Sequence, residues 1–360
     1  MSGRGSSHVV VALSGGVDSA VAALRLAREG YRLTAITLRL ERGPIGPAAD
    51  QARRVAESLG VPFRVIDGAE PFERFVVDYL VAAYGAGRTP NPCVACNRHV
   101  KFGFLWEEAQ QMGADLLATG HYARIRQAED AYQLLRGCDR AKDQSYFLHT
   151  LTQQQLAHVL FPIGDLTKEH VRELAQAHTL PVAERPESQD LCFLAGEDYR
   201  DFLARRAPEL FQPGPIWDVK GRQIGQHEGL PGYTIGQRKG LNVTASEPMY
   251  VLAIIPQENG LVVGPASQLG RSECTVNPLH IISGERRTRP FRAVAQIRYR
   301  AQPAPVTVIP SEGTNKALVR FDAEQRDITP GQFLVLYDGD RVLGGGVIEV
   351  TGTWDAPAAG

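Results

Sequence analysis

A glycine turn near the N-terminus joins a short apolar run to a helical segment. Residues 8–13 are predicted to form a strand that ends in Ser14-Gly15-Gly16-Val17-Asp18-Ser19, and residues 20–28 a helix closed by Gly30. Glycines let the backbone approach an anion closely, and the first N–H groups of a helix point at it with the helix dipole behind them. The layout therefore predicts a phosphate-binding loop, without the Gly-Lys-Ser/Thr ending of the Walker type. An ordinary strand–turn–helix corner is the alternative, which these spacings disfavour.

The first half of the chain alternates strand-like and helix-like segments. Predicted strands cover residues 8–13, 33–38, 63–66 and 115–119, and predicted helices cover 20–28, 48–59, 70–83 and 99–112. This alternation is typical of an α/β domain with a doubly wound parallel sheet. Ligands of such sheets bind beyond the carboxyl ends of the strands, where the glycine turn falls.

The character of the sequence changes near Ala207, where Gly and Pro become frequent and helical periodicity is lost. A Lys-Gly turn within residues 218–224 and an Asp338-Gly339 turn predict β-hairpins. We therefore predict three domains: an α/β catalytic domain (1–205), a small, mostly β central domain (206–273) and a C-terminal β-barrel (274–354).

Composition narrows the class of protein. The 360 residues are 43% hydrophobic, no stretch approaches the length of a membrane span, and residues 1–7 lack the apolar core of a signal peptide. We therefore expect a cytoplasmic protein without a membrane partner. The net charge is −1, so a nucleic-acid partner would need a local basic patch.

The cysteines form the second strong signal. Two prolines stiffen the segment Thr89-Pro90-Asn91-Pro92-Cys93-Val94-Ala95-Cys96-Asn97, which presents two thiols, and Cys192 is a third candidate. Five cysteines are too few and too irregular for a disulfide framework, and in a reducing compartment such cysteines are more often catalytic or metal-binding. Half of a structural zinc site is the alternative, but no second Cys-x-x-Cys exists. Cys138 and Cys274 are expected to be buried small hydrophobes.

Together these motifs resemble a known family. The glycine loop resembles the SGGxDS loop of ATP pyrophosphatases, and residues 8–352 resemble the tRNA-specific 2-thiouridylases, which exchange oxygen for sulfur at the wobble uridine of certain tRNAs. The motifs that carry the likeness are the glycine loop and the segments 89–102, 119–124, 142–147, 233–238, 297–300, 328–332 and 344–348. The resemblance implies an adenine nucleotide α-hydrolase-like fold for the first domain.

The resemblance implies an ATP site and its chemistry. Adenylation of the uracil C2 oxygen makes AMP a leaving group and releases pyrophosphate. Asp18 would orient the loop or bind Mg²⁺ with the phosphates, the alternative being a helix-start carboxylate. The implied ATP-binding residues are Ala12, Leu13, Ser14, Gly15, Gly16, Val17, Asp18, Ser19, Leu38 and Gly120.

The resemblance also implies a catalytic pair, Cys96 and Cys192. In one route Cys192 receives a persulfide from a sulfur carrier, and Cys96 assists its release by forming a disulfide with it. The implied sulfur partner is a sulfur-donating protein or a sulfide source. Position 93 departs from the Asp common in the family. Three thiolates, at Cys93, Cys96 and Cys192, would suit a [4Fe-4S] cluster with one open iron, and we favour this over the persulfide route, with zinc a minor option.

The anticodon arm of tRNA is the implied partner. The implied contacts are Asn91, Pro92, Cys93, His121, Lys142, Asp143, Gln144, Arg298, Tyr299 and Gln332. Residues 291–300 are predicted to form a strand with Arg292, Gln296, Arg298 and Arg300 on one face, which suits a phosphate backbone better than a solvated face of mixed charge. A satisfied strand-end histidine is the alternative for His121. A pyrophosphate-loop synthetase acting on a small molecule and a non-catalytic RNA-binding protein are the rival functions.

Overall fold

The first sheet carries the glycine loop at the end of its middle strand. The computed structural model describes residues 7–41, 46–129, 131–185, 191–194 and 196–349. The first strands are β1 (His8–Ala12), β2 (Arg32–Arg39), β3 (Phe63–Asp67), β4 (Leu116–Ala118), the hairpin β5 (Ala123–Ala128) and β6 (Ala131–Arg136), and β7 (Val159–Leu160). Strands β3-β2-β1-β4-β7 form one parallel sheet in that order. The predicted parallel sheet is confirmed.

Helices cover both faces of this sheet. They are α1 (Val17–Arg28), α2 (Pro47–Ser58), α3 (Ala69–Phe72), α4 (Asp78–Gly85), α5 (Pro92–Ala95), α6 (Leu105–Gln111), α7 (Gln153–Ala157), α8 (Lys168–Ala177) and α9 (Tyr199–Arg206), with π-helical turns at Glu73–Val77 and Cys96–Phe104. Side chains alternate along a strand. Val9 and Val11 therefore join a core with residues of α1, α2 and α8, whereas Val10 joins a second core with residues of α6. The sheet is doubly wound, as predicted. None of the helices in the described ranges combines the length and apolarity that crossing a membrane requires.

A small second sheet follows. Its strands are β8 (Gly214–Asp218), β9 (Gln223–His227), β10 (Met249–Ile255) and β11 (Gly260–Pro265), arranged β10-β11-β8-β9 around Ile216, Val251 and Leu261. The predicted Lys-Gly turn joins β8 to β9, and Gly221 adopts a φ of +78° there.

The third sheet combines the β5–β6 hairpin of the first domain with the strands of the C-terminal part of the chain. Its later strands are β12 (Arg271–Val276), β13 (His280–Ile281), β14 (Phe291–Gln296), β15 (Ala304–Pro310), β16 (Ala317–Gln325), β17 (Phe333–Asp338) and β18 (Arg341–Val347). A bridge between Val276 and Ile348 brings β12 back to the end of β18. The β5–β6 hairpin of the first domain pairs with β18, and Asp340 forms ion pairs with Arg124 and Arg140. This shared sheet fixes the barrel beside the α/β domain. The domain boundaries stay predictions; β12 begins at Arg271, and residue 354 lies outside the described ranges.

The predicted strand over residues 291–300 is confirmed for Phe291–Gln296 and wrong for the rest, so it does not carry a continuous arginine face. Strand β14 ends at Gln296, whose side chain is buried and donates a hydrogen bond to the carbonyl oxygen of Tyr299 over 2.5 Å. The chain then turns, with the Ala301 N–H donating to the Arg298 carbonyl oxygen. Arg292 pairs with Asp322 of β16 at 2.5 Å, and Arg298 with Asp327 at 3.5 Å. Acidic partners from distant segments therefore face these arginines.

Candidate nucleotide and thiol site

The glycine loop is folded tightly onto the start of α1. The Ser14 N–H donates to Ser19 Oγ over 3.1 Å, and Ser19 Oγ donates to the carbonyl oxygen of Gly16. Gly15 adopts a φ of +74°, and a Cβ there would lie 2.3 Å from the Ala48 carbonyl oxygen. The chain therefore needs glycine at this position, both for its backbone angle and for space.

The other predicted nucleotide residues lie on the same edge of the sheet. Gly120 follows β4, and a Cβ on it would lie 2.6 Å from the Ser19 nitrogen, so the end of β4 abuts the first turn of α1. Leu38 lies near the carboxyl end of β2, the neighbour of β1. The structure thus brings the ends of β1, β2 and β4 together, as expected for parallel strands.

Asp18 is held by two residues that sequence reasoning missed. Its Oδ1 accepts hydrogen bonds from the Tyr122 hydroxyl at 2.8 Å and from Lys168 Nζ at 2.7 Å. The Lys168 side chain is only 8% exposed, and it stands at the first position of α8. A cation at a helix N-terminus is unfavourable, because its charge opposes the helix dipole. A lysine at this position was the signal in the sequence that Lys168 has an acidic partner. A third missed residue, Arg185, donates to the Gly15 carbonyl oxygen over 2.6 Å.

Cys93 and Cys96 lie where a short α-helix passes into a π-helix, a rare turn that is frequent at functional sites. Asn91 caps the helix by accepting from the Val94 N–H. Burial raises the pKa of the Cys93 thiol to about 11 and that of Cys96 to about 12, and the charge of Lys101 acts in the opposite sense. Both thiols feel the charge of Cys192, so the three sulfurs are within electrostatic range of one another.

The three cysteines do not fit a metal cluster as they stand. Within the ranges that the structure describes, no group of three Cys, His, Asp or Glu side chains has a geometry that holds a metal ion. Cys96 is buried in an apolar cluster with Phe72 and Val100, whereas Cys192 is exposed. Residues 187–190 of the Cys192 motif lie outside the described residues. The predicted buried state is wrong for Cys138, which is exposed, and confirmed for Cys274.

Several of the predicted RNA-contacting residues meet beside the thiols. The rings of Tyr299 and Phe147 pack with centroids 4.4 Å apart, and Gln332 Nε2 donates to the carbonyl oxygens of Thr89 and Pro90. Asn97 Nδ2 also donates to the Phe147 carbonyl oxygen over 3.3 Å. The segment before β17 thus contacts the cysteine loop directly, and the turn after β14 reaches its neighbour Phe147.

Two other predicted contacts are satisfied inside the protein. The Asp143 carboxylate is buried and accepts hydrogen bonds from Arg136, from the Gly137 N–H and from the N–H and hydroxyl of Ser145. His121 is 8% exposed, and one ring nitrogen lies 2.7 Å from the Thr119 hydroxyl. Burial lowers the pKa of His121 well below its usual value, so its ring is neutral at pH 7. Its geometry is that of the alternative, a satisfied strand-end histidine.

Cysteine alkylation should follow these environments. At pH 8 the exposed Cys138 and Cys192 should react with iodoacetamide first, because only about one Cys96 thiol in 10⁴ is ionised at a pKa of about 12. Mass spectrometry of timed digests measures the order in which the cysteines are labelled. Labelling of Cys96 as fast as Cys138 at pH 8 would contradict this prediction.

Between pH 9 and pH 12 the unfolded chain ionises the Cys96 thiol and the folded chain does not, so the free energy of unfolding should fall over that window.

Comparison with known proteins gives matches along the whole described chain. Family models match residues 7–196 (tRNA methyl transferase HUP domain), 200–265 (tRNA methyl transferase PRC-barrel domain) and 271–348 (aminomethyltransferase β-barrel domain). A tRNA-specific 2-thiouridylase MnmA from Carboxydothermus hydrogenoformans is 46% identical over 96% of this chain and 98% of its own length. Relatives of the same name from Moorella thermoacetica and Chloroflexus aurantiacus are 48% and 47% identical, over 94% and 95% of this chain and 99% and 98% of theirs.

Solved structures match more loosely. A 4-thiouridine synthetase–RNA complex with bound ATP is 17% identical over 56% of this chain and 51% of its own, with a TM-score of 0.39. A match with this TM-score does not support any further comparison of the two structures.

Proposed function

The chain belongs to the family of tRNA-specific 2-thiouridylases, and we propose that it performs the ATP-dependent 2-thiolation of the wobble uridine of tRNA in the cytoplasm. One observation carries the proposal. The anion-binding loop and the Cys96 thiol share one edge of the first sheet, because Leu38 at the end of β2 packs against the cluster that contains Cys96. The proximity of an anion-binding loop to a thiol supports a reaction that uses both a nucleotide phosphate and a sulfur atom.

ATP activates the base in the first step. The uracil O2 attacks the α-phosphorus, the bond to the β-phosphate oxygen breaks, and pyrophosphate leaves from the loop of Gly15 and Gly16. Lys168 and the N–H groups of α1 supply the positive potential that stabilises the departing pyrophosphate. The Asp18 carboxylate, partly exposed, is the hard oxygen ligand that suits the Mg²⁺ arriving with ATP.

Sulfur then replaces the activated oxygen. We propose the persulfide route, because it needs only two thiols and the first to react, Cys192, is exposed to a sulfur donor. A sulfur-donating protein transfers the outer sulfur of its own persulfide to the Cys192 thiolate and keeps a thiolate. The terminal sulfur of the resulting Cys192 persulfide attacks C2, and AMP leaves. The Cys96 thiolate attacks the Cys192 sulfur, which releases the thiolated base and forms a Cys96–Cys192 disulfide that an external dithiol must reduce. Lys101 favours the Cys96 thiolate against the burial that opposes it.

The target base must leave the anticodon stack to reach these groups, at a cost of a few kcal/mol. The surface formed by Asn91, Cys93, Phe147 and Tyr299 is the proposed pocket for the flipped base, since aromatic rings there offer a stacking platform. Lys142 and Arg298 are the proposed phosphate contacts on either side.

Reconstitution tests the function. The full chain, an unmodified tRNA transcript, Mg²⁺-ATP, a persulfide-bearing sulfur-donor protein and a dithiol should yield one AMP per 2-thiouridine, measured by chromatography and mass spectrometry of the nucleosides. Asp18→Asn keeps the shape of the side chain but removes its charge, and should lower AMP formation by at least about 100-fold. The matched control is Asp165→Asn, which alters an ion pair with Arg25 on the outside of α1.

Two results would contradict the proposal. AMP formation that requires a small acid and ignores RNA would indicate a synthetase. RNA binding without AMP or thiouridine would indicate a non-catalytic RNA-binding protein.

A further inference from the structure

The loop between β6 and the next helical turn, residues 137–144, touches both the predicted RNA surface and the nucleotide site. It contains Lys142, Asp143 and Gln144, which the family resemblance assigns to tRNA contact. Its two ends are built into the α/β domain and β6 of the shared sheet. On its inner side the loop holds Tyr122, which has no role in the steps above, and the backbone of Lys168.

The first connection runs from Gln144 to Asp18. Gln144 and Tyr122 exchange two hydrogen bonds: the Gln144 N–H donates to the Tyr122 carbonyl oxygen over 2.9 Å, and the Tyr122 N–H donates to Gln144 Oε1 over 3.0 Å. The Tyr122 side chain is 2% exposed, and its hydroxyl donates to Asp18 Oδ1. A displacement of Gln144 is therefore passed to Asp18 through one rigid aromatic side chain.

The second connection runs from Asp139 to the same oxygen atom. Asp139 Oδ2 accepts a hydrogen bond from the Lys168 N–H over 3.0 Å, and Asp139 Oδ1 accepts from the Ala141 N–H. Asp139 thus fixes the first turn of α8, and Lys168 Nζ reaches back to Asp18 Oδ1 at 2.7 Å. The two routes leave the loop at opposite ends and meet on a single carboxylate.

Hydrogen bonds to one buried carboxylate tie the two ends of the loop together. The buried Asp143 carboxylate ties Gly137 to Ser145, and a Cβ on Gly137 would lie 2.8 Å from the Tyr122 carbonyl oxygen. A buried carboxylate with four donors is costly to disturb, so a shift at Lys142 or Gln144 carries the whole loop with it.

We propose that Tyr122 is a positioning residue and that it and Lys168, whose charge also acts on the pyrophosphate, couple RNA binding at the 137–144 loop to the setting of Asp18 in the anion-binding loop. RNA bound to the loop holds Asp18 in the orientation that accepts Mg²⁺-ATP, and the nucleotide in turn tightens the loop for RNA. The inference rests on the proposed function, since it takes tRNA as the substrate. Such coupling is reciprocal: each ligand raises the affinity for the other by the same factor.

The experiment measures that factor directly. The affinity of the full chain for a fluorescent anticodon stem–loop with a wobble uridine is determined with and without Mg²⁺ and α,β-methylene-ATP, which is not cleaved between its α- and β-phosphates. In the unaltered chain the analogue should tighten RNA binding at least about fivefold. Tyr122→Phe removes the hydroxyl that meets Asp18. Asp139→Ala removes the acceptor of the Lys168 N–H and, within the loop, that of the Ala141 N–H. Each should reduce the factor, and the double variant should bring it to one.

A matched substitution controls for general loosening. Tyr31→Phe removes a hydroxyl from a residue packed against the same core as Tyr122 and should leave the factor unchanged. If Tyr122→Phe does not fold, as judged by its thermal unfolding midpoint, Asp139→Ala alone decides. A factor of one in the unaltered chain, or an unchanged factor in the variants, would contradict the coupling but not the proposed thiolation. Failure of the unaltered chain to bind the RNA at all overturns the proposed function as well.

Discussion

A Cys192→Ser variant is expected to form no 2-thiouridine, a loss of about 10⁴-fold or more, while it still releases pyrophosphate when RNA and ATP are present. The residues proposed to activate the base, Asp18 and Lys168, belong to the glycine loop and α8, which the substitution does not touch. Cys192 is exposed, so a serine there should not alter folding. Pyrophosphate release and thiouridine formation are measured on the same samples.

Cys93→Ala separates the two sulfur routes. In the persulfide route Cys93 does not carry the transferred sulfur, so the Cys93→Ala variant should keep thiolating RNA at a rate within about tenfold of the unaltered chain. A three-cysteine cluster would make Cys93→Ala as inactive as Cys192→Ser, with loss of iron and acid-labile sulfide from anaerobic preparations. Cys138→Ser is the matched control for Cys192→Ser, because both cysteines are exposed. Thiouridine formation by Cys192→Ser would remove this cysteine from the mechanism.

The features that sequence predicted well are local and periodic. Residues of β1 alternate between two cores, and the glycine turn follows directly, so both the doubly wound sheet and the position of the loop could be predicted from one short stretch. The edge of the sheet follows from the same rule, because the carboxyl ends of neighbouring parallel strands meet. Leu38 and Gly120 therefore fall beside residues 12–19 although they are far apart in sequence.

The features that sequence missed depend on distant partners. The residues near Arg292 do not indicate that Asp322 is its partner. Likewise, the residues near Asp18 do not indicate Lys168, which follows it by 150 residues. Asp143 lies in a motif of the family, yet Arg136 and Ser145 enclose its carboxylate. The presence of Asp143 in the motif is therefore explained by the shape that it gives to the 137–144 loop. A charge pattern along one segment describes a surface only when the facing segments are known.

The second large effect is expected at Gly120. An alanine there adds one methyl group, whose carbon would lie 2.6 Å from the Ser19 nitrogen and 2.7 Å from the Asp18 carbonyl carbon. Both are backbone atoms, which cannot rotate away as a flexible side chain can. The start of α1 must therefore move away from β4 by several tenths of an ångström or more. A displacement of this kind at a site of chemistry costs on the order of 100-fold in rate.

Gly120→Ala should thus lower AMP formation by about 100-fold and destabilise the fold by about 1–3 kcal/mol, the usual cost of overpacking. Gly232→Ala is the matched control, because a Cβ at Gly232 meets nothing within 4 Å and neither glycine needs a left-handed backbone. AMP formation and denaturant unfolding are measured for both variants. Since the unfolding cost leaves the folded form dominant, loss of AMP formation by Gly120→Ala reports the displaced loop. Equal AMP formation by the two variants would show that the contact between β4 and α1 does not set the geometry of the nucleotide site.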